Sequence, residues 1–297
     1  MDLLLQRVFD GLTNGAIYAA LALAIAIIIR STGLLNLAQG EMAMFSTFIA
    51  LTFAVDLGWP VWLAITITVL LSMAGGAAIE RFLIRPVEHR SHLAAIIVTL
   101  GLFIFFNGMA GWIWKFDPRG FPSPFPADAD DFVEIGGARL RYESIGIWLT
   151  LGAVLLGLTL LLNRTRLGLA FRAVSSNPTT AKLSGARVSQ TLMLGWALAA
   201  GIGALGATLI ASSVFVHPGM MLGVLTYAFA ALTIGGFDSP FGAVLGGLIV
   251  GIGETLLGGY VGFIGSDMTK VAALVIILAV LLLRPRGLFG SQTLERV

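Results

Sequence analysis

What most constrains this chain is a series of long apolar stretches almost free of charge, at about 8–29, 36–54, 60–80, 93–114, 144–162, 191–213, 221–235, 240–258 and 268–283. A helix needs about 20 residues, with a range of about 17–25, to cross the hydrocarbon core of a bilayer, and most of the runs reach that length. None has the alternation of a membrane barrel strand. In lipid every backbone N–H and C=O must find a partner inside the protein, which leaves helices. Charge content points the same way: Asp, Glu, Lys and Arg make up 11% of the residues and mean hydropathy is +0.94, whereas a soluble domain carries roughly 25% charged residues. Residues 1–297 therefore read as one all-α domain, a polytopic transmembrane helical bundle of eight or nine spans. The count turns on 221–235, which is short. The Gly235-Gly236 pair and Pro240 that follow make 221–235 and 240–258 candidates for broken or re-entrant helices. The first run is too long for the apolar core of a secretory signal.

Nine spans sort the basic residues unequally. One set of loops holds Arg30, Arg81, Arg85, Arg90, Arg164, Arg166, Arg172, Lys182, Arg187, Arg284, Arg286 and Arg296. The opposite set holds Arg7, Lys115, Arg119, Arg139, Arg141 and Lys270. The richer set belongs in the cytoplasm, which puts the N-terminus outside, the C-terminus inside and the loop 115–143 on the extracytoplasmic face. That loop carries Pro118, Pro122, Pro124 and Pro126 and six acidic residues from Asp117 to Glu143, too polar to span. Within it, Phe132 to Gly137 followed by Arg139 to Tyr142 predicts a short hairpin over the outer mouth.

The longest inside loop, 163–190, has five basic residues and no acid. A helix-like stretch from Gly168 to Val174 leads to Asn177-Pro178, a cap and first-turn pair. The second short helix then runs through Lys182 to a stop near Gly185, where a side chain would obstruct the turn. Two short helices under a membrane domain make a docking platform. The plainer alternative is a basic loop that enforces topology or touches anionic headgroups.

Ionisable groups inside spans are expensive and are functional candidates by default. Clear of the run ends these are Glu41 and Glu254, with uncharged company from Asn14, Asn36, Gln39 and Asn107. Such groups either line a water-filled path or brace the fold; Glu41 and Gln39 lean towards bracing against backbone or basic neighbours, since Arg30 is close in sequence, and Glu254 is balanced between the two. Small residues four apart (Gly195, Ala199, Gly203, Ala207 and Ala211; Gly242, Gly246 and Val250 with Gly247 and Gly251) predict close helix packing. With no cysteine, and with His89, His92 and His217 scattered, no metal site is expected; nor is a catalytic constellation.

Five stretches, GLTNGAIYAALALA at 11–24, GLLNLAQGEMAMFSTFI at 33–49, FRAVSSNPTTAKLSGARV at 171–188, LTIGGFDSPFGAVLGGLIVGIGETL at 232–256 and LLLRPRGLFG at 281–290, resemble the permeases of branched-chain amino acid ABC transporters in the same order. The length is similar to the shorter of the two permease types in such systems. The resemblance implies an inner-membrane importer assembled from this chain, a second related permease, two ATP-binding subunits and an extracytoplasmic solute-binding protein. It implies amino acids as solutes, with urea and short amides carried by close relatives, and it implies that 171–188 is the segment that couples to the ATPase, through Arg172, Asn177, Pro178, Lys182 and Gly185. The sequence has no GxxxxGK[ST] phosphate loop, so ATP and Mg belong on the partner subunits and no cofactor on this chain. Membrane lipid is the remaining expected partner, and nucleic acid is not one. A secondary transporter or channel is the competing class, and paired intramembrane charges or an inverted repeat would mark it.

Overall fold

The computed structural model describes residues 2–88, 92–237, 239–260, 282 and 287–289. The ninth run, 268–283, lies outside the described residues apart from position 282. The other eight runs are helical. They form α1 (Asp2–Thr32), α2 (Gln39–Leu51), α3 (Val61–Ile79), α5 (His92–Trp114), α6 (Tyr142–Arg164), α9 (Val188–Ile210), α10 (Met221–Gly235) and α11 (Pro240–Tyr260). The short helices α4 (Arg85–Glu88), α7 (Arg166–Ser176) and α8 (Pro178–Leu183) join them. Six of the eight, taken with their extensions, are long and apolar enough to cross a membrane; α10 is shorter, and α2 is not among the six. Single π-helical turns lengthen α2 (Thr52–Asp56) and α3 (Glu80–Ile84).

Contacts at the helix ends sort the loops into two sets. At one end the backbone N–H of Arg139 donates to Gln6 Oε1 at 2.8 Å, Trp62 Nε1 donates to the Pro124 carbonyl at 2.9 Å, and Arg119 bridges to Val216. At the other, Ser31 meets the Cα face of Gly195, Arg85 donates to the Ser189 carbonyl at 3.1 Å, and the N–H groups of Leu288 and Phe289 donate to Ile234 and Gly235. The loop 115–143 is thus at the opposite end from α7 and α8. Its hairpin is present: β1 (Phe132–Ile135) pairs antiparallel with β2 (Ala138–Arg141). Gly136 and Gly137, at φ +59° and +84°, supply the two left-handed residues that a tight hairpin turn requires.

Outer and central helices divide by burial. α3, α5 and α6 expose rows of Leu, Ile, Phe and Trp, whereas α1, α2 and α9 are buried over most of their length. α2 is covered on nearly every face. The small-residue stripes explain how the centre closes. Gly247 and Gly251 lie against Ala19 and Gly15 of α1, while Gly242 and Gly246 lie against Gly235 and Ala231 of α10. One helix thus presents two glycine faces, and α11 is packed backbone to backbone against both neighbours.

Candidate functional site

The six polar residues singled out in the runs fall into two groups. The first gathers where α2 begins. Asn36 Oδ1 accepts from the Ala38 N–H at 3.0 Å, turning the chain into the helix, and its Nδ2 donates to Gln39 Oε1 at 3.1 Å. Gln39 in turn donates from Nε2 to the Ala199 carbonyl on α9 at 3.0 Å. Gly203, one turn further along α9, makes this reach feasible, because a Cβ there would sit 2.5 Å from Gln39 Nε2. Glu41 is buried and accepts from Asn107 Nδ2 of α5 at 3.1 Å. Its partner is thus an amide rather than Arg30 or another basic group.

The second group lies between α1, α10 and α11. Tyr18 donates its hydroxyl to Glu254 Oε2 at 2.6 Å and stacks on Tyr227 with ring centroids 4.7 Å apart. Asn14 is half-buried on α1 one turn before Tyr18. Glu254 itself is only half-buried. Among the described residues no hydrogen bond joins this group to the first.

The structure adds an ionised pair that the sequence reading passes over. Glu80, at the end of the third run, is completely buried, and both its oxygens accept from Arg85, at 3.1 and 2.6 Å. Positions five apart do not share a face of a regular α-helix. Here the π turn brings them together, since the Arg85 backbone N–H also donates to the Glu80 carbonyl. Arg85 continues to the Ser189 carbonyl at 3.1 Å, and so ties the end of α3 to the start of α9. The only signal in the sequence was an acid and a base close together at the end of a run.

Around this link the loop 163–190 forms α7 and α8 with defined ends, and 171–188 takes in the second half of α7 and all of α8. Thr165 Oγ1 caps α7 by accepting from Gly168 N–H at 3.3 Å. Asn177 Oδ1 accepts from Thr180 N–H at 3.0 Å, and Pro178 occupies the first turn of α8. At the far end Ala186 N–H reaches Ala181 O, and Gly185 N–H reaches Lys182 O, the paired bonds of a Schellman stop. Gly185 has φ +83°, with nothing within 4 Å of where a Cβ would be. The left-handed backbone angle of this turn favours glycine there. Lys182 and Arg187, with Glu80 and Arg85, line a cleft of about 580 Å³ between α8 and the end of α3. Arg172 is exposed on α7.

Comparison with known proteins identifies the lineage. The family of branched-chain amino acid transport system permease components matches residues 7–283. The chain belongs to this permease family. Relatives align with the permease end to end. The high-affinity branched-chain amino acid transport system permease protein BraD of Pseudomonas aeruginosa is 30% identical, over 99% of this chain and 98% of its own. The corresponding LivH of Escherichia coli K12 is 28% identical over 99% and 97%. A probable LivH of Methanocaldococcus jannaschii is 28% identical over 91% and 87%. The permease is a multi-pass membrane protein and a pore-forming component of a transport system, not an enzyme.

A cavity of about 280 Å³ between α1, α6, α9 and α11 is lined by apolar side chains, among them Leu12, Leu23, Leu155 and Leu248. None of its lining residues is charged.

Proposed function

We propose that this chain is the permease subunit of an ATP-driven ABC importer that carries branched-chain or other amino acids across the inner membrane. The observation that supports it best is the family match over residues 7–283, together with relatives named as branched-chain amino acid permeases that align end to end. In this reading the bundle has eight or nine spans, with the N-terminus outside and the C-terminus cytoplasmic. A second related permease completes the pathway, two ATPase subunits bind beneath it, and a solute-binding protein delivers from outside. Loop 115–143 faces that protein, and 163–190 faces the ATPase. Asn36, Gln39, Glu41 and Asn107 hold α2 against α9 and α5, which leaves Asn14 and Glu254 as the groups for the path. The test is reconstitution with the partner subunits. Radiolabelled leucine should accumulate only when ATP and the binding protein are supplied, and this chain alone should show no ATPase activity. Accumulation of urea but not leucine would redirect the substrate class, and leucine uptake by this chain alone without ATP would overturn the importer reading.

Orientation is open to a direct check because the chain has no cysteine. Asp130 is exposed in the loop 115–143, and Asp130→Cys is expected to react with an impermeant thiol reagent added to the periplasmic side. Labelling only from the cytoplasm would invert the topology.

The coupling role of 171–188 rests on helix ends that local chemistry determines. Loss of the Asn177 cap in Asn177→Ala should cost about 1 kcal/mol of α8 stability. Gly185→Leu forces a left-handed angle on a residue that resists it by roughly 1–2 kcal/mol. Membrane levels of both variants should stay near wild type, because α8 is outside the lipid in this reading. Co-purification of the ATPase and uptake should fall together, and normal uptake in both variants would reduce the loop to a spacer.

A further inference from the structure

Glu254 is an ionisable group with an unusual setting. Tyr18, its hydrogen-bond partner, lies 16 residues from the start and 14 from the end of α1, about 24 and about 21 Å along the axis at ~1.5 Å per residue. The carboxylate is therefore close to mid-depth. It is half-exposed, and among the described residues Gly253 beside it has nothing within 4 Å of its Cβ position, so no described side chain closes the approach from that side. A carboxylate at this depth is not left facing hydrocarbon; the open side meets a water-filled path or protein. Among the described residues no cation neutralises Glu254. Arg7, the basic residue on the same face of α1, is held instead by the Thr255 carbonyl at 3.3 Å and over the Tyr260 ring at 5.4 Å. One carboxylate oxygen is engaged by Tyr18, and Tyr227 braces the Tyr18 ring from behind. The second oxygen is without a hydrogen bond among the described residues. Towards the end of the bundle that holds the loop 115–143, Asp10 and Asn14 continue the line of Tyr18 along α1 at four-residue spacing.

We propose that Glu254, oriented by Tyr18 and reached along Asp10 and Asn14, is a recognition station for the ammonium group of the transported amino acid. This rests on the importer reading above and sharpens it. A carboxylate with, among the described residues, one free oxygen and no resident cation selects a solute that brings its own positive charge, so a zwitterion satisfies it and neutral urea does not. Sites near the bilayer midplane are where transporters commonly hold their solutes. Binding there is transient, because a solute that arrives from a binding protein has to leave again.

The experiment compares Glu254→Gln, Glu254→Asp and the double variant Tyr18→Phe/Glu254→Leu in the reconstituted complex, with radiolabelled leucine as the probe. Membrane level and co-purification of the partner subunits are read alongside uptake. Losing one charge-assisted hydrogen bond is expected to lower leucine uptake about ten- to hundredfold in Glu254→Gln, while assembly persists and Glu254→Asp recovers part of the rate. The double variant separates recognition from bracing. Replacing both partners of a structural hydrogen bond by apolar groups is nearly neutral, so a bracing pair would recover uptake in Tyr18→Phe/Glu254→Leu, and a recognition site would not. Wild-type-like uptake in Glu254→Gln, recovery in the double variant, or loss of assembly in both would overturn the proposal. Failure of the wild-type complex to move leucine would instead refute the importer reading beneath it.

Discussion

Gly251→Leu is expected to remove most of the folded protein from the membrane. A Cβ at Gly251 would lie 2.2 Å from the Gly15 nitrogen, 2.3 Å from its Cα and 2.4 Å from the Gly11 carbonyl oxygen. All three are backbone atoms, so no side chain can rotate away, and α1 and α11 would have to separate. Among the described residues those helices form the most extensive contact in the bundle, continued at Gly247 against Ala19. Helix association in lipid depends on close van der Waals approach rather than on expulsion of water, and dispersion contacts are forfeited quickly as a gap opens. Overpacking a well-filled core costs about 1–3 kcal/mol, and more where the neighbours cannot yield. The control is Gly253→Leu, on the same helix, where nothing among the described residues lies within 4 Å of the Cβ position. Membrane levels and thermal unfolding in detergent should show collapse for Gly251→Leu and only a small shift for Gly253→Leu. Equal behaviour of the two would show that this glycine contact does not hold the bundle.

The Glu80–Arg85 pair should respond asymmetrically to mutation. Arg85→Met leaves a carboxylate with no exposure and its guanidinium gone, and removing one partner of a buried ion pair costs about 3–5 kcal/mol. Glu80→Gln leaves Arg85, whose side chain is 32% exposed. The guanidinium can turn towards water while keeping its bond to Ser189, so the loss should be smaller, about 1–2 kcal/mol. Replacing the pair together, as Glu80→Leu/Arg85→Met, should restore much of the stability, because a buried ion pair and an apolar pair of similar volume are often equivalent. Unfolding midpoints in detergent give the order. Arg85→Met as stable as Glu80→Gln would mean that Glu80 is not the buried partner. If the double variant is stable yet uncoupled, with ATPase activity no longer driving uptake, the link from α3 through Ser189 to α9 contributes to transmission as well as to stability.

Much of the architecture was determined by the sequence alone, because in a bilayer the requirement is local. A helix satisfies its own backbone groups, so an apolar run of sufficient length becomes one whatever surrounds it, and 93–114 and 144–162 match α5 and α6 within two residues at either end. The same locality made the hairpin at Gly136-Gly137 and the Asn177-Pro178 cap legible, since turn and cap chemistry involve neighbours a few residues apart. The glycine stripes announced close packing but not the partners, and only the assembled bundle shows Gly251 against Gly15 and Gly203 making room for Gln39. The polar residues needed the third dimension most. Glu41 pairs with Asn107 across 66 positions, and Tyr18 with Glu254 across 236. Glu80 becomes a buried ion pair only because a π turn shifts Arg85 onto its face. A run of apolar residues is its own instruction to enter lipid, whereas a polar group inside lipid takes its meaning from whichever distant group arrives to satisfy it.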